Sequence, residues 1–579
     1  MITIELDKSN NCNGEYSLYL KFPYNQNIVN IIRDLPIRYW HKESKEWEIP
    51  FKYFEKLKDI FKNYQLNIVN YDEIKKLQVL NQKQCNYIPD NYKFKINAFK
   101  HQIEGIEFGL KNDKFVLGDE QGLGKTMQAI NIACIKKEKK HYRHCLIICG
   151  VNGLKWNWKS EIEKHSNEEG YILGTRLKKG NDVIGSVKDR LDDLNLLEKI
   201  YTFGTDEWFL RNDYEIFNSY FLITNIETLR NEEIIEKLKE LCDKKIINML
   251  VLDEGHKCKD PTSIQGKHLL KLKADSMISM TGTPLMNYPL DLYIHLKWLG
   301  YESHGFYQFK QHYCIYGGYG GYQIIGYKNL DQLKEQFDEI MLRRLKKDVL
   351  DLPEKIHTTD YVELGAKQRK IYKEVYGEIQ NNIDLVSAAV NPLSEMIRLR
   401  QATAFTGILS STIRESAKFE RLLEILDELE KNNKKAIVFS NWTSVINPLY
   451  EILQPYNPAI ITGETKDRVE QEQKFMTDDS CRVIVGTIGA MGTGLTLTAA
   501  TTVIFLDEPW NKAIKDQAED RAHRIGTTEN VNIITLIAKD TIDERINEIV
   551  EKKGAMADMM IDGKMTPQTK QQLVEFLLS

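Results

Sequence analysis

The 579-residue chain lacks the long apolar runs that mark membrane proteins and secretion signals. No stretch approaches the ~18 consecutive apolar residues of a membrane-spanning helix. The opening MITIELDKSN alternates polar with apolar residues and carries acidic side chains early, unlike a signal peptide. We therefore expect no secretion and no membrane partner. The location would be the cytoplasm in a bacterial or viral source and the nucleus in a eukaryotic one.

Cysteine pairs with the C-x-x-C spacing are also absent, although the chain has nine cysteines. No C-x-x-C pair occurs, and such pairs are the usual sequence sign of a zinc site. Cys145 and Cys149, the nearest two, lie in the apolar stretch CLIICG, which is typical of a buried strand. We predict buried core thiols rather than metal ligands.

An excess of basic residues is the third absence, since 79 Lys and Arg stand against 83 Asp and Glu and the formal net charge is −4. The chain fails the global test for a nucleic-acid binder, so any nucleic-acid path has to be local. Two candidates are KKEKKHYRH (136–144) and RRLKK (343–347), although charge runs are more often solvated faces. The length and the 42% of apolar residues predict roughly three to four domains.

A glycine-rich turn lies within residues 117–130, LGDEQGLGKTMQAI. The overlapping DKFVLGDE is typical of a short buried strand, and the residues after the turn have helical spacing. A strand, a glycine turn and a helix form the context of a P-loop, in which backbone N–H groups and the helix N-terminus hold phosphate. We predict that Lys125 reaches the terminal phosphates of a nucleotide and that Thr126 binds Mg²⁺.

One position departs from the general pattern G-x-x-x-x-G-K-[ST], because Asp119 stands in place of the first glycine. Gly122 and Gly124 still let backbone N–H groups approach phosphate oxygens. Asp119 lies at the loop entry, before the tight part of the turn, where a residue with negative φ is tolerated. We keep all three residues in the predicted nucleotide site. A glycine turn that binds nothing is the alternative at this stage.

An acidic pair follows the apolar run in IINMLVLDEGHKCKD. The carboxyl end of a parallel strand is the ligand edge of its sheet, so Asp253 and Glu254 are expected there. Asp253 suits Mg²⁺ coordination, and Glu254 suits polarisation of an attacking water. His256 is a candidate for relaying the state of the nucleotide to a neighbouring domain, with a purely structural role as the alternative.

Five further motifs are spread along the chain. They are FKHQIEG (99–105), SMTGTPLMN (279–287), AIVFSNWTSV (436–445), GTIGAMGTGLTLTAATTVIFLDEPWN (486–511) and QAEDRAHRIG (517–526). Together with the P-loop and the acidic pair they resemble the ordered motif set of superfamily 2 helicases, and specifically of the Swi/Snf-type DNA translocases. The resemblance covers roughly residues 95–550. Members of that family also carry aspartate at the position of Asp119.

The resemblance assigns nucleotide roles to residues in both halves of the chain. Gln102 would read adenine, and Gly494 would contact the nucleotide. Arg521 and Arg524 match the arginine fingers of the family, and Gln517 matches the residue that helps to place them. A positioned arginine contributes ~10³ to 10⁵ to the rate of phosphoryl transfer, which explains why two lobes are required. The second lobe has no G-K-[ST] of its own, so one ATP is expected in the cleft between the lobes.

Other positions are assigned by the resemblance to coupling or to nucleic-acid contact. Thr281 and Thr283 look like the segment that couples hydrolysis to lobe movement, and His256 and Trp510 belong to the same group. Three positions depart from family usage, at Thr496, Lys512 and Thr527. In the family, Asn or Asp is usual at the position of Thr496, Pro at that of Lys512 and Gln at that of Thr527. These departures bear on DNA contacts and coupling rather than on ATP binding.

Residues 1–70 lie outside the motor motifs and include IRYWHKESKEWEIPFKYFEKL (37–57). Two strands around a polar turn, followed by a helix, fit this pattern. The segment resembles the HARP domain of annealing helicases, with basic and aromatic side chains in matching places at Arg38, Trp40, Lys45 and Trp47. A small hairpin whose tryptophans are simply core is the alternative.

The stretch from YCIYGGYGGYQ to RRLKKDVLDLPEK resembles the linker of the annealing-helicase branch. Its repeated Tyr and Gly are candidates for stacking on bases, with a plain β-hairpin as the alternative.

The expected fold class is α/β, with two RecA-like parallel-sheet lobes, a small N-terminal α+β HARP-like domain and helical insertions. Apolar strands such as KAIVFS and RVIVGT alternate with helices, as a parallel sheet requires. The predicted domains are a HARP-like domain (1–70), a linker (71–94), the ATP-binding lobe 1 (95–300), a helical or loop insertion and linker (301–415), lobe 2 (416–545) and C-terminal brace helices (546–579).

The resemblance implies a monomeric, ATP- and Mg²⁺-dependent translocase on double-stranded DNA that acts at forked or partly unwound sites, as an annealing helicase or fork remodeller. Two alternatives stay open. One is a strand-separating helicase on RNA or single-stranded nucleic acid, which the nucleic-acid preference of the ATPase would distinguish. The other is an ATP-gated nucleic-acid-binding protein without motor activity, against which Glu254 and both arginines argue.

Overall fold

The structure, a computed structural model, describes residues 1–9, 16–33, 35, 37–75, 87–150, 154–178, 181–203, 214–282, 289–317, 319–321, 323–350, 352–381, 393–492, 495–524 and 526–552. The chain divides into two compact units, Met1–Glu120 with Gly124–Arg344 and Gln121–Leu123 with Leu345–Ser579. Every helix among the described residues falls short of the length and hydropathy that a bilayer-spanning segment needs.

A small α+β layer opens the first unit. Its elements are β1 Ile2–Lys8, β2 Tyr16–Lys21, α1 Gln26–Arg33, β3 Tyr39–His41, β4 Glu46–Pro50, α2 Phe54–Ile60 and β5 Leu66–Ile68. The sheet order is β3-β4-β2-β1-β5, with β5 parallel to β1 and the other pairs antiparallel. Ile4 and Leu18 from the strands and Leu57 from α2 are fully buried in one core. The predicted hairpin followed by a helix is confirmed.

The rest of the first unit is an α/β domain with short antiparallel additions. Its elements are α3 Lys100–Lys111, β6 Lys114–Leu117, α4 Lys125–Lys140, β7 His144–Cys149, α5 Leu154–His165, β8 Gly170–Ile172, β9 Thr175–Lys178, β10 Asn181–Ile184, α6 Val187–Phe203, α7 Tyr214–Asn218, β11 Phe221–Asn225, α8 Glu232–Asp243, β12 Ile247–Leu252, α9 Ile264–Lys271, β13 Ser276–Met280, α10 Leu292–Leu299, α11 Phe306–Tyr313, β14 Cys314–Gly317, β15 Gln323–Tyr327, α12 Leu330–Asp338 and β16 Met341–Leu342.

Seven strands form the main sheet of this unit in the order β16-β6-β13-β12-β7-β11-β8, and all neighbouring strands are parallel. The central strands β7 and β12 are buried along their whole length, as expected for a sheet covered on both faces. Cys145 and Cys149 lie in β7, and all seven cysteines for which the structure gives an environment are buried free thiols. The prediction of core thiols is confirmed for these.

The second unit repeats the parallel-sheet plan. Its elements are α13 Lys346–Val349, β17 Lys355–Val362, α14 Ala366–Asn381, α15 Leu393–Ala404, α16 Ala417–Lys431, β18 Lys435–Ser440, α17 Thr443–Ile452, β19 Ala459–Ile461, α18 Arg468–Thr477, β20 Val483–Thr487, α19 Ile488–Met491, β21 Ala500–Phe505, α20 Lys512–Glu519, β22 Val531–Ala538 and α21 Ile542–Lys552. The sheet order is β17-β22-β21-β18-β20-β19, again with parallel neighbours. The expected α/β class with two parallel-sheet lobes is confirmed.

Two strands of the main sheets fall inside the interval 301–415, which the sequence analysis assigned to an insertion and linker. β16 pairs with β6 in the first unit, and β17 pairs with β22 along eight residues in the second. Neither carries a strand signal in the sequence, because β16 has two residues and β17 lies at a sheet edge with a mostly polar, exposed sequence, KIHTTDYV. The domain boundaries themselves stay predictions.

The glycine- and tyrosine-rich stretch forms an antiparallel hairpin, with β14 paired to β15. The structure thus has the plain β-hairpin, and stacking of its tyrosines on bases stays a prediction. At the other end of the chain, the predicted C-terminal helix is present as α21, which buries Ile542, Ile546 and Val550. Residues 553–579 of the predicted brace lie outside the described residues.

Candidate nucleotide site

The glycine turn joins β6, which ends at Leu117, to α4, which begins at Lys125. Gly122 and Gly124 have φ of 84° and 80°, a left-handed conformation that side-chain-bearing residues rarely adopt. A Cβ placed on Gly124 would lie 2.3 Å from Nε2 of Gln102. The left-handed backbone therefore favours glycine at position 124, and a side chain there would also displace the amide of Gln102. The predicted strand, turn and helix are confirmed, and this is the geometry in which a P-loop presents backbone N–H groups to phosphate.

Gln102 and Lys125 flank the turn within the first unit. Gln102 is buried near the start of α3, where its Oε1 accepts from the backbone N–H of Phe99 at 3.0 Å. Lys125 donates from Nζ to the carbonyl oxygens of Asp119 at 2.7 Å and Glu120 at 3.3 Å. Thr126 follows at the helix N-terminus and is half-buried. The lysine thus reaches back over the turn, in the position from which it would meet a phosphate.

Asp119 has a structural partner that the sequence analysis did not find. Its fully buried carboxylate accepts from Nε of Arg344 at 3.0 Å and from Nη2 at 2.5 Å, a two-point pair. Gln128 on α4 donates to the same carboxylate at 3.1 Å. Asp119 therefore joins the loop entry to α4 and to Arg344, two residues after the end of β16. The only sequence signal was an arginine in a charge run 225 positions away.

Each charge run contains at least one cation that is engaged in contacts within the first unit, and a nucleic-acid path along either run stays a prediction. In RRLKK, Arg343 donates to the carbonyl oxygens of Gly118 and Gly282 at 3.0 Å each. In KKEKKHYRH, Lys136 is buried and donates to Asp113 at 2.9 Å. Burial lowers the pKa of Lys136 to about 8 although Asp113 opposes the shift. These cations hold parts of the first unit together, a use that a run of charges in a sequence does not reveal.

The acidic pair follows β12, and Glu254 has φ of 52°, a strained conformation for a residue with a side chain. Asp253 accepts from Nε1 of Trp158 at 3.0 Å and from the backbone N–H of Glu254 at 3.0 Å. Burial raises the pKa of Asp253, the charge of Glu254 raises it further, and the charge of Lys125 opposes the rise. The lysine of the turn and the acidic pair therefore share one electrostatic environment, as predicted for a phosphate site.

The residues present fit a magnesium ion. In the part of the chain that the structure describes, no group of three or more His, Cys, Asp or Glu side chains could hold a metal by itself. Mg²⁺ usually takes one or two protein ligands and completes its shell with water and substrate phosphate. A buried carboxylate at Asp253 and the hydroxyl of Thr126 provide that kind of partial ligand set. A cation there would also offset the cost of burying the Asp253 charge.

His256 lies between the acidic pair and the segment predicted to couple hydrolysis to movement. Its Nδ1 is 3.3 Å from Oε2 of Glu254 and 3.3 Å from Oγ1 of Thr281. Burial, followed by the charge of Lys257, lowers the pKa of His256 to about 3, so the ring is neutral and its contact with Glu254 is not an ion pair. His256 and Thr281 are thus in contact, and Thr283 lies outside the described residues.

A second histidine lies beside the loop that follows the acidic pair. His295 on α10 is buried, and its Nδ1 lies 2.8 Å from Oγ of Ser279. A Cβ on Gly255 would come within 2.6 Å of that hydroxyl and 2.9 Å of Cε1 of His295. Glycine is required after the acidic pair for this reason. The sequence analysis missed His295 because a histidine in the apolar helix LYIHLKWL gives no sign of what it touches.

The predicted arginine fingers lie together in the second unit. Arg521 donates to the carbonyl oxygen of Leu495 at 3.2 Å, and Arg524 donates to the same oxygen at 3.3 Å and to Oγ1 of Thr496 at 2.9 Å. Arg521 also donates through Nε to the carbonyl of Gln517 on α20 at 3.3 Å. Both arginines are therefore held by the segment of Leu495 and Thr496, and Gln517 on α20 contacts Arg521. Gly494, predicted to contact nucleotide, lies outside the described residues.

Two of the departures from family usage have local structural roles here. The hydroxyl of Thr496 accepts from Arg524. Oγ1 of Thr527 accepts from the backbone N–H of Arg524 at 3.1 Å and lies 2.7 Å from the carbonyl oxygen of Ala522. Both threonines thus hold Arg524 in place. Lys512 begins α20 and is exposed.

Carboxylates beside the arginines bind the segment that opens the second unit. Asp520 pairs with Lys346 at 2.7 Å and with Lys355 at 2.8 Å, and Glu519 pairs with Lys355 at 3.1 Å. Burial would raise the pKa of Asp520, but the charges of both lysines hold it below its ordinary value. The sequence analysis assigned none of these residues, because their partners lie some 160 to 180 positions apart in the chain.

The predicted tryptophans are not part of the nucleotide site. Trp510 is half-buried, and the guanidinium of Arg400 lies 4.9 Å from its ring centre and 5.0 Å from that of Trp442. Arg400 is itself buried. Trp510 is therefore held in a stack within the second unit, and its role in DNA contact stays a prediction. Trp40 and Trp47 lie on the N-terminal hairpin.

Comparisons with known proteins agree with this arrangement of motifs. Residues 101–437 match the family described as SNF2-related domain, and residues 417–526 match the helicase conserved C-terminal domain. A Mycoplasma pneumoniae protein named uncharacterized ATP-dependent helicase is 27% identical over 95% of this chain and 51% of its own length. The DNA annealing helicase and endonuclease ZRANB3 of Bos taurus is 28% identical over 83% of this chain and 42% of its own length.

A solved structure, the Sulfolobus solfataricus SWI2/SNF2 ATPase core in complex with dsDNA, is 24% identical over 84% of this chain and 99% of that chain, with a TM-score of 0.36. The chain spans about half the length of the curated relatives it matches. The SNF2-related match alone takes in more than half of the 579 residues, from the start of α3 to β18, and the helicase match extends it through both arginines. The chain therefore belongs to the SNF2 family of helicase-type ATPases.

Proposed function

We propose that this chain hydrolyses ATP to move along double-stranded DNA and that it acts on forked or partly unwound DNA as an annealing or fork-remodelling enzyme. The observation that carries the proposal is the left-handed glycine turn between β6 and α4, over which Lys125 reaches back to the carbonyl oxygens of Asp119 and Glu120. The pair of arginines on one loop of the second unit supports it.

Each residue of the first unit has a role in binding or in positioning water. The N–H groups of the turn and Lys125 hold the phosphates, and Gln102 contacts adenine. Thr126 and Asp253 would hold Mg²⁺, which would supply charge neutralisation when bound. Glu254 orients the attacking water and accepts its proton, and the neutral ring of His256 passes the position of Glu254 to Thr281. These assignments come from the family resemblance and the contacts of each side chain.

The arginines act in the transition state. Arg521 and Arg524 add positive charge where charge develops on the transferred phosphoryl group, which is worth ~10³ to 10⁵ in rate. Before they act, the bonds to Leu495 and Thr496 hold both guanidinium groups extended from the same loop. Movement of the two units with each ATP cycle would then shift their grip along a phosphate backbone. Such contacts position the protein without reading sequence.

Recognition of forked DNA is assigned to the N-terminal layer. Trp40 is 46% exposed on the β3–β4 hairpin, so its ring is accessible as part of a contact surface. Base stacking on such a ring is worth about 1 to 3 kcal/mol. The resemblance to a HARP domain points in the same direction. ZRANB3, one of the matched relatives, is named a DNA annealing helicase.

An ATPase assay with purified protein tests the proposal. Blunt duplex, forked duplex, single-stranded DNA and RNA are each added at equal nucleotide concentration. We expect duplex and fork to stimulate turnover well above the other two. Stimulation by RNA or by single strands alone would favour a strand-separating helicase. Binding of nucleic acid without any turnover would favour an ATP-gated binding protein.

A further inference from the structure

An open groove lies in the first unit between the β3–β4 hairpin and α11. Its volume is about 770 Å³, within the roughly 300 to 1,000 Å³ range of sites that bind small molecules. One wall comes from the N-terminal layer and includes Arg33, Arg38, Trp40 and Trp47. The other wall comes from Ser303 to His312, which lie outside that layer in the sequence. The groove is therefore built by two separate parts of the chain.

Two tryptophans give the groove an aromatic wall. Trp40 and Trp47 face each other across the antiparallel pair β3 and β4, with ring centres 5.1 Å apart and ring planes inclined by 51°. Trp47 also packs against the core of the layer, while Trp40 is 46% exposed. One ring is thus anchored and supports the other, which presents a face to solvent. A fixed, exposed ring of this kind loses little conformational entropy when a flat group stacks on it.

A chain of polar contacts holds Arg38 at the groove. Nδ1 of His304 lies 2.6 Å from Oε1 of the buried Glu302. This nitrogen therefore carries the hydrogen and donates a hydrogen bond to the carboxylate. Nε2 of His304 is then an acceptor, and it takes a hydrogen bond from Nη2 of Arg38 at 2.6 Å. Arg38 also donates to the carbonyl oxygen of Leu35 at 2.6 Å. The guanidinium is therefore fixed jointly by the N-terminal layer and by the segment before α11.

The charged side chains among the described lining of the groove are positive. Among the ten described residues that line it, none is acidic and two are arginines, whereas the whole chain has a net charge of −4. Arg33 is exposed at the end of α1. The exposed amides of Gln308 and Gln311 and the ring of His312 lie on the α11 side. The groove thus combines cations for phosphate, a ring for stacking and amides for hydrogen bonds to base edges.

We propose that this groove binds unpaired nucleotides of a nucleic-acid strand, and that residues 303–312 supply half of the site. The inference rests on the proposed function, because it identifies the part of a forked DNA that this chain recognises. Unpaired bases expose their faces for stacking on Trp40, whereas bases inside a duplex do not. None of the described residues that line the groove is acidic, so this lining would not repel phosphate. The recognition site is therefore not confined to the N-terminal layer.

Fluorescence anisotropy of labelled oligo(dT) with the full chain, without ATP, tests the groove. Trp40→Ala should weaken binding by about tenfold to a hundredfold, as expected for one lost stacking contact. Gln311→Glu should weaken it as well, because it places a carboxylate opposite phosphate without altering a buried contact. Arg33→Ala should reduce the slope of log affinity against log salt concentration by about 0.7 if it meets one phosphate.

The matched control is Gln65→Glu. Gln65 is exposed and precedes β5, which lies at the opposite edge of the same sheet from β3, so the charge change is identical but distant from the groove. This variant should bind oligo(dT) like the parent. Parent-like binding by Gln311→Glu would overturn the proposal, because the α11 wall would then take no part. Equal losses by Gln311→Glu on oligo(dT) and on a blunt duplex would also overturn it, since the groove would not select unpaired nucleotides.

The same variants separate this inference from the proposed function. Gln311→Glu should retain duplex-stimulated ATPase activity, because the residue lies outside the nucleotide site. If no DNA stimulates ATP turnover by the parent chain, the proposed function fails, while the oligo(dT) titrations still decide the groove. If duplex stimulates turnover but the groove variants bind oligo(dT) normally, the groove inference fails and the motor assignment stands.

Discussion

At the scale of single residues, Asp119 shows how an apparent defect in a motif is part of the structure. A glycine at this position would have no carboxylate for Arg344 and Gln128. The pair lies at the loop entry, whereas the left-handed residues are Gly122 and Gly124. The first position of the motif therefore serves the scaffold, and the later glycines are the ones predicted to contact phosphate.

Asp119→Gly should destabilise the protein even though it restores the general motif. It leaves the largely buried guanidinium of Arg344 without its two-point partner, and breaking a buried pair from one side costs about 3 to 5 kcal/mol. The measurement is the urea midpoint of the parent and the variant. Asp119→Asn is the matched control, because it keeps an acceptor of the same size and should lose less. A variant Asp119→Gly as stable as the parent would contradict this role.

Lys125→Ala and Glu254→Gln should each abolish ATP turnover for different reasons. Loss of Lys125 removes a phosphate contact and should weaken nucleotide binding, whereas Glu254→Gln leaves the attacking water without its base and should bind nucleotide nearly as well as the parent. Steady-state turnover and equilibrium binding of a fluorescent ATP analogue distinguish the two. Near-normal turnover by either folded variant would contradict the assignment of these two residues to the active site.

Arg521→Ala or Arg524→Ala should lower kcat by at least ~10³ with little change in ATP affinity, since a finger acts mainly in the transition state. Both variants also lose a bond to Leu495, so a thermal melt is needed to show that the second unit stays folded. Hydrolysis at the parent rate by both variants, with DNA present, would show that these arginines are not fingers.

At the scale of elements, the β3–β4 hairpin depends on segments outside the N-terminal layer. Tyr301, which precedes α11, packs against the core of the layer, and Arg38 bonds to His304. A truncation of the layer would expose these groups and confuse a lost function with a damaged scaffold. Substitutions on the exposed face of the hairpin are therefore the sharper probe of its function.

The variant Trp40→Ala in the full chain should reduce fork regression or annealing and spare duplex-stimulated ATPase activity. The exposed ring contributes to stacking rather than to the core, so the melting temperature should change little. A gel assay of fork regression next to a thermal melt measures both. Leu57→Ala is the contrasting control, because it opens the core of the layer and should lower the melting temperature. Unchanged fork regression by Trp40→Ala would make the hairpin structural.

At the scale of the whole molecule, two units with separate cores carry the two halves of the predicted ATPase. A nucleotide that binds the folded first unit should stabilise it, by about 2.7 kcal/mol at a ligand concentration of 100 times Kd. We expect a slowly hydrolysed ATP analogue with Mg²⁺ to raise the melting temperature. Removal of Mg²⁺ by EDTA should diminish the shift, and Lys125→Ala should lack it. A shift of parent size in Lys125→Ala would show that the analogue binds elsewhere.

Several features of this protein follow from the sequence by itself. The strand, turn and helix around Lys125, the buried strand before Asp253, the hairpin with Trp40 and Trp47 and the α/β class all depend on local periodicity and on residues close together in the chain. Glycine conformation, apolar alternation and helical spacing act over a few residues, so the order of amino acids suffices to predict them. Family membership follows from the same ordered motifs.

Other features were decided only by the tertiary structure. Arg344 meets Asp119 across 225 positions of sequence, His304 meets Arg38 across 266, and Lys346 meets Asp520 across 520 − 346 = 174. Each contact exists only because separate elements pack side by side. The sequence shows each of these residues only as one charged or polar side chain among many. Long-range packing determines which charges are buried and paired. It also forms the second wall of the groove, which no local sequence pattern predicts.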